Sequence, residues 1–163
     1  MEEIKNCDMT KYREKIMNEI CKSGILVKLL CEADAGQPEN IIPYKRCFPY
    51  EYIPDTMNET DRFINYEISE TADSKNNLYK NLTISFFIAG HQNVVLCREN
   101  GMEYLWYDIA ACELEKLFCN KNVLGIGAAR LTSNEPYRIQ NKSMGRLLKF
   151  TVRDFNNGLK YGK

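Results

Sequence analysis

Apolar residues change their spacing repeatedly along this chain, and each change marks an element. Over residues 10–31, Tyr12, Ile16 and Ile20, with Met17 and Cys21 and later Val27 and Leu30, recur at three and four. That is the helical period. Asp8 or Thr10 stands where its side chain would accept a bond from an orphan N–H at the helix start. Gly24 either kinks this helix or splits off a second piece over 25–30. The pattern then collapses: Gly36, Pro38, Pro43, Pro49 and Pro54 punctuate a stretch holding Ile41, Ile42, Tyr44, Phe48, Tyr50, Tyr52 and Ile53. Proline removes a backbone donor and fixes φ, so residues 32–60 are expected as an extended connection, neither central strand nor helix. Their side chains are too apolar to stay in water and must cover the domain or a partner. Tyr44, Phe48, Tyr50 and Tyr52 are therefore candidate interaction residues.

Alternation takes over next. Ile64, Tyr66 and Ile68 alternate with Asn65, Glu67 and Ser69, and Leu82, Ile84, Phe86 and Ile88 with Thr83, Ser85 and Phe87. Two half-buried strands paired as a hairpin are predicted. The polar 70–80 connection is expected to project, either idle or as an interaction arm, with Asp73, Lys75 and Lys80 as its candidate residues. Over 104–118 the helical period returns, with Leu105, Trp106, Ile109, Ala110, Leu114 and Leu117 on one broad face. Glu113 falls inside that face, so it must pair with a basic side chain, sit at a subunit contact or reach water at the edge. Gly125-Ile126-Gly127 is expected to open a strand through Leu131, the glycines permitting a bulge or a tight backbone approach. Residues 133–137, Ser-Asn-Glu-Pro-Tyr, carry turn chemistry. In the last strand Leu148, Phe150 and Val152 face one way and Lys149, Thr151 and Arg153 the other. Residues 157–163 have no pattern and are expected to be mobile.

These elements make one α+β domain over 1–163: an N-terminal helix to residue 31, the extended segment 32–60, a sheet-and-helix core over 61–156 and a tail. A chain of 163 residues is long enough to bury roughly 70% of its unfolded surface in one core. Lysine plus arginine equal aspartate plus glutamate at 22 each, which removes the net field that attracts nucleic acid or an anionic membrane. No apolar run approaches the ~18 residues of a membrane span, and the N-terminus lacks a signal peptide's apolar stretch, so a soluble, intracellular protein is expected. The sequons at Asn58, Asn81 and Asn141 are then chance matches.

Seven cysteines and one histidine supply no zinc spacing, and reduced, mostly buried thiols are expected. A nucleophilic pair would need His91 beside Cys97 with a third group orienting the ring. Gly125-x-Gly127 lacks the third glycine and the following helix of a phosphate cradle. Asp108 and Glu115 read as solvated positions on the polar side of their helix, short of a metal site. Lys149 and Arg153 share a strand face with Thr151 between them, without the stacking aromatics of a nucleic-acid surface. A solvated face or a wall meeting an acidic partner is expected there.

Residues 82–88, the 104–118 helix, Gly125-Ile126-Gly127 with its strand, and Gly145-Arg146 leading to Asp154-Phe155-Asn156 together resemble the tail-terminator and tail-to-head joining (neck) proteins of long-tailed phages and prophages. The likeness covers residues 62–156 and the preceding helix, and lies in element order and not in a diagnostic motif. It implies an αββαββ subunit whose four-stranded, mainly antiparallel sheet has two helices packed on one side. It further implies a structural virion protein, present in the host cytoplasm during assembly, that forms a ring, commonly a hexamer. Such a ring caps the tail tube and meets the head connector, with no enzymatic activity, cofactor, membrane or sequence-specific nucleic acid. The 70–80 loop would point to the tube or lumen, and Lys149 and Arg153 to neighbouring subunits or the DNA passage. The 32–60 segment exceeds the plain connection of such a subunit. Two other classes stay open: a small phage-encoded adaptor or inhibitor that binds a host protein through Tyr44, Phe48, Tyr50 and Tyr52, and a Cys/His thiol enzyme.

Overall fold

Helical spacing at the N-terminus serves two helices, α1 (Asp8–Lys22) and α2 (Gly24–Cys31). The break is at Ser23, whose backbone turns extended and whose Oγ accepts the Leu26 N–H at 3.3 Å, capping α2. Neither Asp8 nor Thr10 caps α1: Cys7 holds that position, without a side-chain bond. The computed structural model describes residues 7–31, 37–139 and 142–156. The expected tail and the Asn141 sequon lie outside the described residues.

The expectation of a four-stranded sheet with two helices is overturned. Among the described residues a five-stranded mixed sheet runs β1-β2-β3-β7-β6, beside a two-stranded sheet β4-β5 and four helices. β1 (Cys47–Phe48) pairs parallel with β2 (Arg62–Ala72); β3 (Tyr79–His91), β7 (Ser143–Phe155) and β6 (Arg130–Tyr137) continue the sheet antiparallel. The fifth strand comes from the proline-rich segment, which also holds a short helix, α3 (Pro38–Ile41). Tyr44, at φ 58, turns the chain so that Ile42 O accepts the Arg46 and Cys47 N–H groups at 2.9 Å each. That turn delivers Cys47 beside Ile64.

The small sheet is a hairpin, β4 (Leu96–Glu99) and β5 (Met102–Leu105). Asn100 and Gly101 form its turn with φ 53 and 78, the two positive values that a type I′ turn demands. The following helix, α4 (Trp106–Phe118), therefore starts after the hairpin and not at residue 104. The 70–80 arm also disappears: β2 and β3 extend until only 73–78 remain as a turn. Asp73 Oδ1 accepts from Lys75 N and Asn76 Oδ1 from Leu78 N, both at 3.0 Å. Residues 133–137 lie inside β6. The turn reading failed because β6 is an edge strand, where proline forfeits no ladder bond, so Pro136 is tolerated. Gly125, expected in a strand, sits in the preceding loop, where a Cβ would stand 2.6 Å from Arg153 O.

One face of the sheet carries the core. Ile64, Tyr66, Ile68, Leu82, Ile84, Phe86, Ile88, Leu148, Phe150 and Val152 pack beneath α1, α2 and α4. Glu113 finds its partners within the subunit: Ser23 Oγ donates to it at 2.9 Å, and Lys116 stands 3.6 Å away. Asp108 and Glu115 are not merely solvated, since Arg146 Nε donates to Asp108 at 2.8 Å and Asn134 Nδ2 to Glu115 at 3.2 Å. Among the described residues no helix is long and apolar enough to cross a membrane.

Candidate functional site

The other face of the sheet can be laid out from the strand register. Across β2, β3, β7 and β6, successive rows are Ser69–Thr83–Thr151–Arg130, Glu67–Ser85–Lys149–Ser133 and Asn65–Phe87–Leu147–Glu135. Beyond the first row lies Thr71–Asn81–Arg153, and beyond the last lies Phe63–Ala89–Gly145–Tyr137. Alternation puts these side chains opposite the core.

Half of this outer face is covered by residues 49–57, a strap that continues from β1. Pro49 and Pro54 keep it extended and off the sheet ladder. Phe48 stacks on Tyr52 at 4.1 Å, and both rings stand edge-on to Phe63 at 6.0 and 5.6 Å. The fully buried Asn65 donates its Nδ2 to Tyr52 O at 3.0 Å, and the Arg13 guanidinium donates to Pro49 O. At the far edge Tyr137 OH donates to Glu51 at 2.6 Å. Burial, and then the Glu51 carboxylate, hold the Tyr137 phenol above its ordinary range. The covering role weighed for this segment belongs to Phe48, buried, and Tyr52, half-buried; Tyr44 and Tyr50 remain exposed. Phe48 is thus no surface residue, because its ring fills the gap between strap and sheet.

The opposite half of the face stays open, with a hollow of about 660 Å³ lined by Thr71, Asn81, Thr83, Arg130, Thr151 and Arg153. Arg153 stacks its guanidinium 4.1 Å above the Tyr79 ring and pairs with Asp73 at 2.8 Å. The Lys75 N–H, and then Arg153, hold the Asp73 carboxyl below its usual range. Lys149 is half-buried in the middle row and Lys75 is exposed in the 73–78 turn. Lys80 belongs elsewhere. Its parity with Leu82 turns it to the core side, where it is buried, pairs with Glu70 at 3.0 Å and Asp8 at 3.7 Å, and lies over the Tyr12 ring. Sequence reasoning missed Arg130, Glu135 and Glu51 as members of this face. Reading 133–137 as a turn hid the register that sets Arg130 and Glu135 beside Lys149.

Two of the other hollows bear on the chemistry expected of the chain. The larger, about 730 Å³, lies among α2, the hairpin and α4, with Ile25, Leu29, Met102 and Ile109 on its walls and Arg62 on its floor. Arg62 donates to Leu29 O at 3.0 Å, Val94 O at 2.8 Å and Cys97 Sγ at 3.4 Å. The smaller, about 470 Å³, is polar and includes His91, Asp55, Glu59 and Lys142. His91 uses Nδ1 to accept the Asn93 N–H at 3.2 Å, while Cys97 lines the other hollow. The structure therefore does not bring together the pair that a thiol enzyme would use. Of the seven free cysteines only Cys47 is buried, and burial pushes its thiol well up; Cys7 and Cys112 are exposed. The expectation of mostly buried thiols is corrected accordingly: several cysteines lie on helix flanks and strand ends, where half the side chain stays wet. Among the described residues no cluster of three metal-ligating side chains occurs.

Compared with known proteins, the chain matches the family YomW over residues 23–152. That span runs from the Ser23 break to Val152, three residues short of the end of β7. No curated protein and no solved structure matches it.

Proposed function

Because the chain belongs to the YomW family, a phage/prophage-type protein family named after a Bacillus SPbeta-type prophage gene, we propose that it is a structural subunit of a phage particle. In this reading it works by protein–protein contact and not by catalysis, and its specific place is a tail-terminator or neck ring that caps the tail tube and meets the head connector. The observation that carries the reading is the outer sheet face. It is a broad, rigid, four-stranded surface, half strapped and half open, with charged side chains at fixed register positions. A rigid sheet face loses little conformational entropy on docking, which suits a permanent assembly contact. The His91 and Cys97 environments support the non-catalytic part, since each side chain already serves a local hydrogen bond.

The test is the protein composition of purified tailed particles from the phage or prophage that encodes the chain. The expected result is that this chain is present at a fixed ratio to the tail-tube protein and is lost with detached tail ends. Its presence in infected cells but absence from particles would overturn the reading in favour of a host-directed adaptor or inhibitor.

A further inference from the structure

The open and strapped halves of the outer face carry opposite charge. On β6, Arg130 stands level with Thr151 and Glu135 level with Leu147, so the two lie symmetrically about the row of Lys149 and Ser133, roughly 13 Å apart along the strand. Both are exposed, and among the described residues neither makes an ion pair. Arg153, beyond Arg130 on the open side, is balanced by its Asp73 partner, whereas Glu51 adds charge beyond Glu135 on the strapped side, where it holds Tyr137. The strap also exposes Tyr50 and Ile53, at 44% and 57%. These apolar groups stand on the acidic half, while the hollow that could receive them lies on the basic half.

A surface with this layout is complementary to itself. We propose that the outer face pairs with the same face of a second copy about a two-fold axis lying along the Glu67–Ser85–Lys149–Ser133 row. That rotation keeps each strand above its own counterpart and exchanges the two halves. Arg130 of each copy then meets Glu135 of the other, and the strap of each copy settles toward the open hollow of the other. One contact patch serves both copies, so the pair closes without leaving either half exposed, as an isologous interface requires. Turning the second copy about an axis along the strands instead would lay β6 over β2, with Arg130 opposite Ser69 and Glu135 opposite Asn65, and would leave both charges unmet. Lys149 and Glu67 are the exceptions: on the axis row each meets its own counterpart, so Lys149 opposes the pairing, while Glu67 opposes it less because Arg13 already pairs with it at 3.1 Å.

The inference rests on the structural-subunit reading only in supplying its self-contact, and it is tested separately, by the mass of the full chain in solution. Light scattering after size exclusion, over a concentration series at low and high salt, is expected to show dimers or even multiples at low salt that weaken as salt screens the charges. Arg130→Glu or Glu135→Arg alone should weaken association about tenfold or more, since each change breaks two symmetry-related contacts. The double variant R130E/E135R should restore it, and Lys149→Ser should strengthen it; circular dichroism confirms that each variant is folded. A monomer at every concentration would overturn the pairing, as would association indifferent to Arg130→Glu, a double variant without rescue, or weakening by Lys149→Ser. A six-subunit ring indifferent to these charges would overturn the pairing while leaving the ring reading intact.

Discussion

Phe86 and Phe150 are diagonal neighbours on the paired strands β3 and β7 in the centre of the core, their rings 5.8 Å apart and nearly perpendicular, with Phe118 of α4 at 5.1 Å from the first. Both are fully buried. Phe86→Ala or Phe150→Ala is expected to cost ~3 to 5 kcal/mol through lost burial and the cavity left behind. Urea unfolding measures this, and a loss below ~1 kcal/mol would mean that the strand faces are inverted. The orientation of these residues was legible from alternation alone, because period two leaves one choice of inward face. Lys80 was misjudged for a related reason. In a polar run a lysine reads as exposed, yet its register follows Leu82 inward, and only Glu70, Asp8 and the Tyr12 ring, from distant positions, make a buried ammonium tolerable there.

Elements show the same division. The strap was legible as extended and partly covering, since prolines and aromatics alternate in it. Its docking on the outer face was not, because the contacts joining Phe48 and Tyr52 to Phe63 and Asn65, and Glu51 to Tyr137, are set by where β1 enters the sheet. Phe48→Ala should release the strap while sparing the sheet. The expected outcome, by hydrogen exchange, is faster exchange at 50–57 with β3 and β7 amides unchanged; slowed or unchanged strap exchange would show that the Phe48 ring does not hold it. The hairpin of β4 and β5 was missed although Asn100-Gly101 signals its turn, because its strands are only four residues each and lie mostly exposed. β6 was misread for a different cause. A bulge between Leu131 and Ser133, a proline and charges blunt a free sheet edge, and the same residues in isolation spell a turn.

For the whole molecule, three tyrosines in separate places shape one property. Burial, first in each case, raises the phenols of Tyr12, Tyr66 and Tyr137 above the ordinary value of 10. Tyr12 also donates to Asp154, and Tyr66 to Arg13 O at 2.7 Å. The folded chain therefore keeps protons that the unfolded chain releases above pH 10. Stability from these groups is complete below pH 10 and falls as pH rises beyond it. Urea midpoints at pH 8 and above 10 should show this decline, and Tyr66→Phe should make it shallower; a midpoint unchanged across that range would refute the assignment. The zero net charge from 22 basic and 22 acidic residues gave no hint of the outer face, because a sum of charges cannot show that opposite signs lie on opposite halves of one surface.

The amino-acid order by itself determined the α+β character, the helical period of α1, α2 and α4, and the inward side chains of β2, β3 and β7. Each depends on neighbours two to four residues apart, whose spacing fixes the face they share. The fifth strand, the burial of Lys80, the edge position of Pro136, the Ser23–Glu113 bond and the bipolar outer face were decided only by the tertiary structure. They depend on pairings such as Cys47 with Ile64 and Arg130 with Thr151, between residues about twenty apart in the chain. Local propensity does not encode such pairings, because their free energy is realised only once the whole sheet has assembled and its core face is covered.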